Sequence, residues 1–363
     1  MVGIETPAIQ LLGPDGTRVV NAAFGSEISD AEIAQLYRDM VLVRRIDAEA
    51  IALQRQGEMG LWTSLLGQEA AQIGAGRALR EHDMVFPSYR EHGVAWCRGL
   101  DPVALVELWR GSGPGGWDPH RHNFSSYTIV IGAQTLHAVG YAMGVVRDGL
   151  VGTGDADRDT AVLVFFGDGA MSQGDVSEAF GWAAAQHLPV VFFCQNNQWA
   201  ISAPVTVQAR APLYQRAAGF GFPGVRVDGN DVLASLAVTS SALEAARCGQ
   251  GPTLIEAFTY RMNPHTTSDD ATRYRSASEL ETWKGRDPIA RVRSYLERDG
   301  GCEEDFFAAV DQEADKLAVR FRAEVRELPD IPMRAVFDNV YRTTSDELIE
   351  QRDELVSLLD FED

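Results

Sequence analysis

The sequence predicts an α/β fold, a doubly wound and mostly parallel sheet with helices on both faces. Three observations predict it. Residues 161–166 (AVLVFF) and 189–194 (PVVFFC) are continuous apolar runs, the pattern of strands covered on both faces. A helical stretch reaching to about residue 187 lies between them, and strand, helix, strand in that order gives a right-handed parallel crossover. Two further apolar segments, 224–228 and 253–258, flank a helical region over 231–248 and extend the same sheet.

The remaining segments are arranged around this centre. Residues 1–26 read as an extended N-terminal arm with a turn at Gly13-Pro14-Asp15-Gly16. The α/β domain is expected over 27–295, and an acidic helical segment over 296–363. Ser29-Asp30-Ala31-Glu32 has the spacing of a capping box, and Ile33, Leu36, Tyr37, Met40, Val43 and Ile46 follow at helical spacing. A second helix is expected over 67–79, and a Gly/Pro-rich loop over 109–122.

Composition excludes several classes. The 363 residues carry a formal charge of −20, which argues against a nucleic-acid binder, because phosphate backbones require a basic face. It also argues against an anionic membrane surface. No apolar run approaches the roughly 18–20 residues of a spanning helix, and no secretory signal is read at the N-terminus. Cys97, Cys194, Cys248 and Cys302 form no CxxC pair, as expected of a reduced cytoplasmic protein with structural thiols.

The chemistry is expected where the two apolar strands end, because ligands of open parallel sheets bind at the carboxyl ends. The first run ends in Gly167-Asp168-Gly169, the second in Asn196-Asn197, with 26 residues between Gly169 and Asn196. Glycine admits close backbone approach, and a following helix directs its amides at a phosphate. An aspartate oxygen, an asparagine oxygen and backbone carbonyls are hard ligands suited to magnesium. Gly-Asp-Gly alone is a common turn. With one helix, one strand and Asn-Asn behind it, the reading becomes a magnesium diphosphate held across two neighbouring strands.

That pair resembles the thiamin diphosphate fingerprint. The resemblance extends through Gly67-Gln68-Glu69-Ala70, Tyr89-Arg90-Glu91-His92-Gly93, the stretch from Gly167 to Ser202, and Tyr260-Arg261 through His265 to Arg273-Tyr274-Arg275. These segments look like those of the alpha subunits of pyruvate and branched-chain 2-oxo acid dehydrogenases. The resemblance implies that Asp168 and Asn197 bind magnesium through side chains and Trp199 through its carbonyl. Arg90 would grip the diphosphate, with Tyr89 beside it. Gly167, Gly169 and Ala170 would approach the cofactor through their backbone, Ile131 would face the thiamin rings, and His265 would be the catalytic histidine over the reactive carbon. Taken alone, Arg90 reads as a surface ion pair and His265 as a loop cap. His120 and His122 have no third metal ligand, so a solvated loop is the better reading there. Leu61, Trp62 and Phe86 are plausible walls of a substrate pocket.

Departures from the family are visible. Ile129 stands where some members place a serine touching the diphosphate, Gln195 replaces an arginine of some branched-chain members, and the loop before Asn123 is short. Gly111 to Gly116 fits GxGxxG but neither follows an apolar strand nor opens a helix, so it is not a dinucleotide site.

The resemblance implies oxidative decarboxylation of a branched-chain 2-oxo acid, with the acyl group passed to the lipoyl arm of an acyltransferase component. Pyruvate or acetoin is the alternative substrate. A rival of another class is a non-catalytic thiamin diphosphate sensor, against which the intact His265 loop speaks. Thiamin enzymes bind their cofactor between two such domains, and one is found here, so a beta subunit is expected, in a heterotetramer of two alpha and two beta chains. The polar loop 261–275 is expected to order only on ligand binding. Thr266 occupies the position that some animal relatives phosphorylate.

Overall fold

The structure is a computed structural model that describes residues 8–24, 28–113, 115–338 and 340–359. The expected arm therefore lies partly outside the described residues, as does Pro114 of the Gly/Pro-rich loop.

Five parallel strands form the sheet: β1 (Met84–Phe86), β2 (Val162–Gly167), β3 (Val190–Asn196), β6 (Gly224–Asp228) and β7 (Thr253–Phe258), in the order β1-β2-β3-β7-β6. A short antiparallel hairpin, β4 (Trp199–Ala200) with β5 (Ala203–Pro204), follows β3. The two apolar runs lie side by side, in register from Val162 opposite Val190 to Gly167 opposite Gln195.

Strand alternation explains why both runs are continuously apolar. Leu163, Phe165, Val191 and Phe193 face one core together with helices Asp30–Arg55, Glu69–Arg77 and Val232–Arg247. Val162, Val164, Phe166, Val190, Phe192 and Cys194 face the other, against helices Ala133–Arg147 and Gly174–Ala185. Covering both faces with helices is the doubly wound arrangement that the sequence predicts.

The first long helix, Asp30–Arg55, begins at a complete capping box between Ser29 and Glu32, and all six residues of its expected apolar face are buried. The second is shorter than expected, Glu69–Arg77 rather than 67–79. Gly67 has a φ of +94°, outside the helical region, so the helix cannot begin before Gln68. The described part of the arm is extended, and Ile9 pairs in parallel with Val227 on the sheet edge. Asp231 caps helix Val232–Arg247 and also accepts the Leu11 and Leu12 amides, each at 2.7 Å.

Among the described residues beyond 276 lie helices Ala277–Lys284, Pro288–Arg298, Glu304–Glu327 and Asp346–Leu359. Phe307 of the third meets Tyr37 edge-on at 5.3 Å, so this helix shares its core with helix Asp30–Arg55. No helix among the described residues is long and apolar enough to cross a membrane.

Candidate active site

The floor is built from the carboxyl ends of β2 and β3. Asp168 opens a 3-10 turn, Asp168–Ser172, ahead of helix Gly174–Ala185. Its carboxylate is buried and accepts from Gln208 Nε2 at 3.1 Å. Burial pushes its pKa up to about 6, against that hydrogen bond. Gly169 is needed because a Cβ there would stand 2.7 Å from the Ala200 Cβ, so glycine lets the hairpin close over the strand end. Asn197 Oδ1 accepts from the Trp199 amide at 3.3 Å, and its Nδ2 donates to Gln68 Oε1 at 3.2 Å.

The opposite wall comes from two loops. After β1, Tyr89 and Arg90 enter a turn whose partner is the buried Glu91. Glu91 accepts from the Ser88 amide (2.7 Å), the Ser88 hydroxyl, the Arg90 amide and Gln195 Nε2 (2.6 Å). Burial raises its pKa and these donors oppose the rise. Arg90 donates to the carbonyls of Ser64 and His265, and its guanidinium stands 5.6 Å from the Tyr89 ring centre.

His265 is held near neutral-imidazole chemistry. Burial, then Arg90 and Arg261, depress its pKa to about 3. Its Nδ1 lies 3.4 Å from Arg90 Nη2 and 3.5 Å from Arg261 Nη1. Guanidinium nitrogens only donate, so Nδ1 accepts and the proton sits on Nε2. Arg261 also donates to the Trp199 carbonyl at 2.7 Å, leaving that oxygen one further lone pair. The Trp199 indole turns away, donating to Glu279 at 3.0 Å and packing 5.5 Å from Tyr274. A tryptophan is accommodated there without disturbing the carbonyl.

The loop 261–275 carries its own anchors. Asp269 accepts from the His265 amide at 2.8 Å and from the Tyr274 hydroxyl. Arg275 donates to the carbonyls of Arg261 and Met262. Thr267 exchanges two hydrogen bonds with the Trp62 backbone, both at 3.0 Å. The composition of the loop concealed this network, because it depends on which carbonyls the folded loop turns inward.

These elements line a cavity of about 270 Å³. All ten residues singled out by the sequence line it: Tyr89, Arg90, Ile131, Gly167, Asp168, Gly169, Ala170, Asn197, Trp199 and His265. Gln68, Glu91, Gln134, Gln195 and Arg261 line it as well. Four of these, Gln68, Glu91, Gln195 and Arg261, sat inside the quoted segments, which was the available signal. Gln134 had none. Leu61, Trp62 and Phe86 do not line it. Trp62 is buried, stacked on His92 at 4.2 Å and donating to Asp47 at 2.8 Å. Ile129 is exposed and stands outside the lining. His122 reaches only the Arg98 carbonyl at 3.3 Å. A larger open groove of about 790 Å³ is walled by helices and the arm, with no residue from a strand end.

The residues present suit an anionic ligand carrying a cation. Two fully buried amides in the wall keep an unpartnered atom each, Gln68 Nε2 and Gln134 Oε1, and so does Arg261 at Nε. Such atoms are costly unless a ligand satisfies them. Two guanidiniums, Arg90 and Arg261, share the lining with Asp168 and Glu91. Among the described residues no cluster of three His, Cys, Asp or Glu side chains could hold a metal alone. One carboxylate with neutral oxygens instead fits magnesium that completes its shell from phosphate and water.

The sequence model of the family described as dehydrogenase E1 component matches residues 37–329. The chain is 44% identical over 356 residues to the alpha subunit of 3-methyl-2-oxobutanoate dehydrogenase of Mycobacterium tuberculosis, covering 98% of this chain and 95% of that one. It is 35% identical over 348 residues to the pyruvate dehydrogenase E1 component alpha subunit of Staphylococcus epidermidis, covering 94% and 91%. To the Staphylococcus aureus counterpart it is 38% identical over 299 residues, covering 82% and 78%.

Proposed function

Because the chain belongs to the dehydrogenase E1 component family, whose members depend on thiamin diphosphate, we propose that it is the alpha subunit of a branched-chain 2-oxo acid dehydrogenase. The observation that carries this reading is one cavity, where Asp168, Asn197 and Trp199 from the strand ends meet Arg90 and His265 from two loops. The higher identity to the 3-methyl-2-oxobutanoate dehydrogenase subunit than to the pyruvate dehydrogenase subunits favours branched-chain substrates. Pyruvate is the second reading.

In this reading Asp168, Asn197 Oδ1 and the Trp199 carbonyl hold magnesium. Arg90 binds the diphosphate with Tyr89 beside it, and the backbone of Gly167, Gly169 and Ala170 follows its oxygens. Ile131 packs against the rings. His265, neutral and protonated at Nε2, acts as a hydrogen-bond donor to the reacting group. Thiamin diphosphate, when bound, supplies the nucleophilic carbon and the electron sink for decarboxylation. A beta subunit completes the site in a heterotetramer, and a lipoyl-bearing acyltransferase takes the acyl group. Four cysteines without disulfides and the acidic surface fit a cytoplasmic enzyme.

The test is co-expression with a beta-type subunit and assay of a panel of 2-oxo acids with an artificial electron acceptor. Branched-chain substrates are expected to give the highest kcat/KM. A preference for pyruvate would support the second reading, and no turnover of any 2-oxo acid would overturn both.

Arg90→Ala in the assembled enzyme is expected to weaken cofactor binding without abolishing it. A charge-assisted hydrogen bond is worth about 1.5–3 kcal/mol, or roughly 10- to 150-fold in affinity. Calorimetry at fixed magnesium checks this.

Thr266→Glu is expected to lower turnover on the order of a hundredfold while the subunits stay assembled. Thr266 adjoins His265, and its carbonyl accepts the Asp269 amide at 3.1 Å. Two like charges about 6 Å apart repel by roughly 3 kcal/mol at a surface dielectric, which is a rate factor on the order of a hundred. Near-normal turnover would contradict the assignment of an anionic ligand beside this loop.

A further inference from the structure

We propose that Gln68 positions the candidate cation site and donates a hydrogen bond to its anionic ligand, an inference that rests on the thiamin diphosphate reading above. Its backbone is fixed. Gly67 has a φ of +94°, and a Cβ there would stand 2.3 Å from the Tyr260 carbonyl, so only glycine brings the turn this close. The Thr259 hydroxyl donates to the Gly67 carbonyl at 2.8 Å, and the Gly67 amide donates to Glu69 Oε2 at 2.9 Å. Glu69 is in turn paired with Arg44 at 2.8 Å. The Gln68 side chain leaves this rigid turn, is fully buried, and reaches the cavity wall.

The orientation of two amides follows from one backbone donor. The Trp199 amide can only donate, and it donates to Asn197 at 3.3 Å, so the Asn197 oxygen lies at that end. Its nitrogen then donates to Gln68 Oε1 at 3.2 Å. Without that acceptor the Asn197 amide is held by the Trp199 amide alone, at 3.3 Å, and turns more readily; a turned amide would present N–H groups to a cation. Partners of this kind typically set metal affinity by 10- to 100-fold.

The other end of Gln68 completes the argument. With Oε1 occupied, Nε2 is a buried donor that has no partner among the described residues. It belongs to the same wall as Asp168 and Asn197. An uncharged N–H donor beside a cation site suits an anionic oxygen that the cation itself bridges, which is the chemistry of a diphosphate. A single side chain therefore serves metal and phosphate through different atoms.

Two substitutions separate the atoms. Gln68→Glu keeps an acceptor for Asn197 and removes the N–H donor; Gln68→Met removes both at similar length. Each is measured in the enzyme assembled with its beta subunit, by calorimetry with thiamin diphosphate at saturating Mg²⁺ and by Mg²⁺ titration at saturating thiamin diphosphate. Gln68→Glu is expected to lose cofactor affinity by about tenfold or more with no rise in its Mg²⁺ midpoint. Gln68→Met is expected to lose affinity and also to raise the Mg²⁺ midpoint about 10- to 100-fold. Wild-type cofactor affinity in Gln68→Glu, an unchanged Mg²⁺ midpoint in Gln68→Met, or equal losses on both measures in both variants would overturn the inference. If Gln68→Met does not assemble, the split in Gln68→Glu decides alone. Absence of Mg²⁺-dependent cofactor binding by the wild-type enzyme would overturn the underlying reading and this inference with it.

Discussion

Asp168→Ala is expected to abolish magnesium-dependent binding of thiamin diphosphate by the assembled enzyme while leaving the ligand-free protein at least as stable. Two acids line the cavity, Asp168 and Glu91. Glu91 is occupied by Ser88, the Arg90 amide and Gln195, so Asp168 is the anion left for a cation. The protein holds it at a cost. Burial raises its pKa to about 6, and its one side-chain partner is the neutral Gln208. A charge kept where the fold disfavours it is a mark of a functional site. Removing it relieves that cost in the ligand-free state, yet leaves a divalent ion facing diphosphate without its anionic protein ligand. Calorimetry at fixed magnesium and thermal unfolding of the ligand-free protein read the two halves separately. Unchanged cofactor affinity would refute the metal assignment, and a large loss of unfolding temperature would mean that Asp168 serves the fold instead.

How much of this was legible in the sequence depended on how local the signal was. β2 and β3 were readable because every residue of each run packs on one of two helical layers, which leaves no polar position to confuse the pattern. β1 was not, since three residues carry no period. The helix Ala133–Arg147 was also missed. It follows Gly132 in the left-handed region, with no side-chain cap to announce it. Nine of the ten site residues could be named because they lie in short motifs that are weak singly but match one family together, and Ile131 by its place in that match. Arg261 shows the limit. Its guanidinium reaches the Trp199 carbonyl across 62 residues as well as the nearby His265, and no spacing in the sequence expresses that. Gln195 shows another: its partners, Glu91 and Gln72, come from a loop and a helix distant in sequence, so its replacement of an arginine could be noted but its role could not be read.

The purified chain without a partner is expected to bind thiamin diphosphate weakly and to turn over no 2-oxo acid, and addition of the beta subunit is expected to restore both. The described residues contain one parallel sheet with one set of strand ends, and the pocket they form is open rather than enclosed by a second domain. Part of its lining is apolar and exposed. Val130 is 70% exposed and Ile201 55% exposed, and Ile131, which lines the cavity itself, is 39% exposed. Exposed apolar side chains at a polar cavity suit a surface completed by another protein, and an obligate interface of this kind buries on the order of 2,000 Å² or more. Half of the cofactor's surroundings would then belong to the partner, so that neither the affinity nor the water exclusion needed for decarboxylation exists in the single chain. Calorimetry and a decarboxylation assay on the chain alone, then titrated with the beta subunit, test this directly. Decarboxylation by the chain shown free of any partner would place the whole active site within these 363 residues and remove the reason for a second subunit.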